Sequence, residues 1–286
     1  MARLKNLMEI EKLINLGVDV FLVDTPLAVK KINGELFTDL DEIFSHNKEV
    51  YLLLNKMIHE TDLELLEMVL NKAKNDLIKG IVCGDLTVMV MAKKMGLNNK
   101  VIYQPGTMNT SSFDNEYFYK KAIKGITISK EITLEEITNI FKNKVTEISL
   151  IGHGYLDMFY SKRSLLSNYF VYKGIEHNNI KNNDLFRLKE EMRPDSFYPI
   201  FEDDGGTHIF RDKALESFNE MNVLKMYLDD FFVERMFIDD QEYYDSLLAY
   251  QDSSYVPKFL EKYKAKYNKG FYYQYTEKLK GELNDN

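Results

Sequence analysis

Cysteine is almost missing: Cys83 is the only one in 286 residues. One thiol closes no intramolecular disulfide, and one thiolate cannot hold zinc or an iron–sulfur cluster unaided. Within the apolar run GIVCGD, Cys83 reads as a small buried hydrophobe rather than a nucleophile. Tryptophan is absent, and arginine is confined to Arg3, Arg163, Arg187, Arg193, Arg211 and Arg235. An A/T-rich genome gives the same bias, so it argues for no function. Positive charge is also short. At a formal net charge of −8 the chain has no general attraction to nucleic acid or anionic lipid. Long apolar runs are lacking too. The N-terminal MARLKNLMEIEKLINLG is amphipathic and broken by charge, with neither a signal-peptide core nor a membrane span. These absences predict a soluble cytoplasmic protein without membrane contact.

What is present is a rhythm. Short, nearly continuous apolar runs recur at 18–24, 49–55, 80–85, 100–106, 125–131 and 147–154, and again at 222–230. Strands buried on both faces have this character, which points to a parallel sheet covered by helices. Between the runs lie helical patterns: Glu9 to Leu16, Leu86 to Met95 and Phe113 to Ile123. Two more open on capping boxes, Thr61 to Glu64 and Thr133 to Glu136. Several runs end in a polar residue: Asp24, Asn55, Asp85, Gln104, Glu131 and His153. A (β/α) barrel gathers its carboxyl strand ends around one mouth, so this set favours a barrel over a doubly wound sheet.

The rhythm breaks after His153, where about seventy residues separate strand-like runs, far beyond an ordinary connection. Such an insertion reads as a lid at about 155–212. It contains YPIFEDDGGTHI, with Asp204-Gly205-Gly206 as a hairpin turn. The predicted architecture is an α/β, TIM-like barrel over 1–238 that includes this lid. A helical, tyrosine-rich segment, 239–286, packs back on it.

Four segments, KEITLEEI, HGYLDMFYSKRSLLSNYF, YPIFEDDGGTHI and GFYYQYT, resemble peptidase family U32, the collagenase-like peptidases, in order and spacing. The resemblance implies a TIM-like barrel with an inserted lid. It is strongest to a short bacterial branch that helps make 5-hydroxyuridine at the tRNA wobble position, with prephenate as a required metabolite. Members of that branch often occur as two paralogous chains. Cluster-binding members read His-Gly-x-x-Cys and Arg-Cys-Leu-Leu-Ser, where this chain has Asp157 and Ser164. Lys130 replaces a usual Arg, Glu131 matches, and Gln104 replaces an Asn.

The resemblance therefore implies a chain that binds no cluster alone and supports tRNA hydroxylation beside a cysteine-bearing paralogue, which would carry the iron–sulfur cluster. tRNA would be met through that complex. A prephenate-like carboxylate would bind at the mouth through His153, Arg163 and Glu131, with Asn55, Gln104 and His208 as further candidates. Two other readings compete. One takes the peptidase name literally, with Ser164, His153 and Asp157 as a hydrolase triad, although no Gly-x-Ser-x-Gly elbow supports it. The other is an inactive barrel that binds a ligand or partner. The alternative for Arg163 is a staple that pairs with Glu202. No metal-ligand spacing stands out, and Glu202, Asp203 and Asp204 suit turn chemistry better.

Overall fold

The computed structural model describes residues 1–32 and 34–274. Seven strands alternate with helices: β1 (Ala2–Arg3), β2 (Val20–Asp24), β3 (Glu49–Leu54), β4 (Ile78–Cys83), β5 (Val101–Tyr103), β6 (Gly125–Thr127) and β7 (Glu147–His153). The chain then leaves for β8 (Asp157–Ser161), β9 (Arg187–Glu190), β10 (Arg193–Asp203), β11 (Gly206–Phe210) and β12 (Ala214–Leu215). It returns as β13 (Asp230–Val233), and β14 (Tyr267–Asn268) pairs with β12. Strands β1 to β7 and β13 close a barrel, and every pairing in it is parallel.

The strands are apolar on both sides because each side meets a different core. Inward, Val20, Leu22, Tyr51, Leu53, Val82, Ile102 and Phe232 fill the barrel. Outward, Phe21, Val23, Leu52, Leu54, Ile81 and Cys83 meet the helices. This packed interior leaves room for ligands only above the carboxyl strand ends. Cys83 is fully buried in the outer layer, and burial pushes its thiol up to about 12.

Two expectations fail locally. The run 222–230 is not a strand: it holds a helix, Met221–Leu224, and the eighth barrel strand begins only at Asp230. Leu224 and Leu228, four apart, pack against the same core, so the run has helical spacing. The capping box expected at Thr61 lies two residues earlier, between His59 and Asp62. The box at Thr133 stands as read, with Glu136 accepting from the Thr133 N–H at 2.7 Å.

Strands β8, β11, β10 and β9 form an antiparallel sheet beside the mouth. Asp204-Gly205 turns between β10 and β11, and Asp203 Oδ1 accepts from the N–H groups of Gly205 and Gly206. The helices Asp240–Gln251 and Val256–Tyr263 follow the barrel and pack an aromatic cluster against its outside. The motif GFYYQYT runs past Gln274, so its last two residues lie outside the described ones.

Candidate ligand site at the barrel mouth

Above the carboxyl strand ends lies a cavity of about 340 Å³, a size suited to a small molecule. Asn55, Asp85 and Gln104 line it, as their strand-end positions predicted. Asn55 Oδ1 accepts from the Val29 N–H at 2.8 Å and so fixes the loop after β2. Asp85 caps the helix Leu86–Lys94 through the Thr87 N–H. Gln104 Nε2 lies 3.3 Å from Thr127 Oγ1.

Asp157 also lines the cavity, and two lysines converge on it. Lys30 Nζ is 3.0 Å from one carboxylate oxygen, and Lys130 Nζ is paired with the other. Burial alone would raise the Asp157 pKa. The charges and hydrogen bonds of Lys30 and Lys130 outweigh it and hold the carboxyl well below its usual range. Two ammoniums on one carboxylate leave a positive charge over. Other cations at the mouth are already matched, and the carboxylates of Asp85 and Glu234 line the cavity as well. Arg3 Nε pairs with Asp24 at 2.7 Å, and Lys56 with Asp62 at 2.7 Å.

His208 lies beside this cluster, 1% exposed and lining the cavity. It stacks on Tyr160, with ring centroids 4.5 Å apart and planes 9° apart. Its Nε2 is 3.6 Å from Asp203 Oδ1, and neither ring nitrogen has a hydrogen-bond partner among the described residues. Burial lowers its pKa although Asp203 pulls the other way, so a neutral imidazole faces the cavity. A buried polar group without a partner is costly, and a ligand atom would relieve that cost.

Three sequence-predicted residues lie elsewhere. His153 does not face the mouth. In the pairing of β7 with β13, Phe232 meets Ile151 but Val233 meets His153, so Gly152 is an extra residue. This bulge reverses the alternation and turns His153 outward. The ring is fully buried among Phe218, Tyr250, Phe259 and Tyr267, with Nδ1 3.2 Å from the Tyr250 hydroxyl. Burial lowers its pKa to about 3. Gly152 itself has no alternative, because a Cβ there would stand 2.0 Å from the Phe231 ring. Arg163 is exposed on the turn after β8, and its side chain pairs with no described residue, so it is not a staple to Glu202. Glu131 is half-buried and does not line the cavity.

Glu202 instead caps the helix Leu165–Lys173. It accepts from the Leu166 and Ser167 N–H groups at 2.8 and 3.2 Å, and from Thr207 Oγ1 at 3.0 Å. Ser164 is the residue before that helix. The hydrolase triad is not assembled, because His153 is on the outside of the barrel wall and Asp157 is in the mouth. The two family cluster positions do not fit a cluster either. One is an ion-paired carboxylate and the other a hydroxyl, and neither supplies the thiolate that cluster iron takes.

Sequence reasoning missed Lys30, Lys130 and Tyr160 as cavity residues. Lys130 carried a signal, since it follows the sixth strand at the position where the family resemblance implies an Arg. Lys30 carried none: only the fold of the loop after β2 brings it to Asp157.

The sequence profile of peptidase family U32 matches residues 31–282. The tRNA hydroxylation protein P2 of Bacillus subtilis is 28% identical over 244 residues, covering 76% of this chain and 77% of that protein. An uncharacterized protease of Methanocaldococcus jannaschii is 31% identical over 140 residues, 47% of this chain and 34% of its own length. A collagenase of Porphyromonas gingivalis is 23% identical over 143 residues, 46% of this chain and 32% of its own.

Proposed function

The chain belongs to peptidase family U32, and from that premise we propose that it supports tRNA hydroxylation with a small carboxylate bound at its barrel mouth. The similarity to a tRNA hydroxylation protein runs along most of both chains, unlike the shorter matches to a protease and a collagenase. The observation that carries the ligand reading is the Lys30–Asp157–Lys130 cluster. Its two ammoniums share one carboxylate and offer an anion charged donors in a cavity where the dielectric is lower than in water. The unpartnered His208 beside it offers a donor or an acceptor to a hydroxyl or carbonyl of the same ligand. A prephenate-like carboxylate has both kinds of group.

In this reading the product is wobble 5-hydroxyuridine. The oxidation belongs to the cofactor of a cysteine-bearing paralogue, and this chain supplies the ligand and the positioning. Deleting the gene and quantifying 5-hydroxyuridine in digested tRNA by mass spectrometry tests it. The modified nucleoside should fall, and the tagged chain should co-purify with a cysteine-rich family member. An unchanged nucleoside level would sink the tRNA role.

A further inference from the structure

Residues 158–175 contain Lys162, Arg163 and Lys173 and no acidic residue, in a chain whose net charge is −8. The segment starts inside the cavity, which Met158, Phe159 and Tyr160 line. It ends with the helix Leu165–Lys173. One side of this helix is anchored. Leu166 is buried, and Phe170 packs against His177 and Phe186 at ring distances of 5.0 and 5.6 Å. Beside that anchored side Tyr169, Tyr172 and Lys173 lie three and four residues apart, a spacing that makes them neighbours on the helix surface. Tyr169 is 52% and Tyr172 83% exposed. Lys173 Nζ is 5.9 Å from the first ring centroid and 5.7 Å from the second.

We propose that this helix face and the turn before it form a docking surface for single-stranded RNA that leads to the cavity. The choice of RNA rests on the tRNA reading above. Exposed rings beside ammonium groups match a strand with unpaired bases, which offers π-faces to stack and phosphates to pair. Tyr169 and Tyr172 stack on bases, while Lys162, Arg163 and Lys173 meet phosphates.

Fluorescence anisotropy on the purified full chain tests the surface, using a labelled anticodon stem-loop, a labelled oligouridine and a labelled duplex of equal length. The single-stranded probes should bind more tightly than the duplex, and binding should weaken as salt rises. Tyr169→Ala and Tyr172→Ala should each weaken it at least about fivefold, the low end for loss of one stacked base. Tyr172→Phe should keep it. Thermal midpoints of these exposed variants should match the wild type. The proposal is overturned if the wild type binds no RNA, if duplex binds as tightly, or if the Ala variants bind normally. It is also overturned if they lose only a co-purifying protein partner. Wobble hydroxylation separates this inference from the reading under it. If the gene is needed for the modification yet Ala variants bind RNA and restore it, the surface fails and the tRNA role stands. If deletion leaves tRNA unchanged while Ala variants lose RNA, the tRNA role fails and the surface stands.

Discussion

Asp157 holds two lysines in place, so removing its charge sets two ammoniums against each other. Asp157→Asn should cost about 1–3 kcal/mol of stability at neutral pH, read from urea unfolding midpoints. Its pKa is depressed in the folded state, so this contribution is present above the unfolded carboxyl value of about 4 and is lost as pH falls below it. The gap between wild type and variant should therefore narrow below about pH 4. His153 titrates in another window. Its folded pKa of about 3 lies below the unfolded value of about 6.5, so between these the unfolded chain binds more protons and stability is lost as pH falls. At pH 5 the His153 contribution to that loss is about 2 kcal/mol. His153→Phe should remove this part of the acid slope and leave tRNA hydroxylation unchanged. If the slope persisted, the buried neutral ring would be refuted. His153 looked like a mouth residue because it ends an apolar run, and Asn55 and Gln104, read by the same rule, do line the cavity. The rule failed at β7 because one inserted residue, Gly152, turns the next side chain outward. A bulge leaves little trace in hydropathy.

At the scale of elements, the lid helix depends on a carboxylate from a distant strand. Glu202 on β10 accepts from the N–H groups of Leu166 and Ser167 in the first turn of Leu165–Lys173 and also from Ser167 Oγ, while Thr207 Oγ1 takes the Leu165 N–H. Glu202→Gln should cost about 0.5–2 kcal/mol, concentrated in that helix. Hydrogen exchange should show faster exchange of its amides and little change in the barrel. Uniform acceleration across both would contradict the assignment. The helix Leu134–Lys142 was legible to its cap because Thr133 and Glu136 are three residues apart in sequence. The cap of the lid helix was not, because Glu202 is thirty-six residues from Leu166. The Asp204-Gly205 turn was legible for the same local reason. Gly206 at φ +133°, with Ser161 O 2.1 Å from where a Cβ would stand, fixes where the hairpin meets β8.

For the whole molecule, the barrel was legible because each long strand is apolar on both faces. β1 was not, since its two residues lie in the charge-broken N-terminal stretch and form no apolar run. That short strand closes the ring between β13 and β2 and puts Arg3 at the mouth. The fold collects Lys30, Lys130 and Asp157 from three separate crossings of the mouth, which no local pattern reveals. In the proposed function this cluster, and not His153, is the working site. The most direct measurement is wobble 5-hydroxyuridine in a deletion strain complemented with Lys130→Met. That variant leaves Lys30 and Asp157 as a balanced pair and removes the excess charge. Wild type, His153→Phe and Lys130→Arg should restore the modification, and Lys130→Met should not, although the protein accumulates to the same level. Full restoration by Lys130→Met, or failure of His153→Phe at equal abundance, would contradict the account.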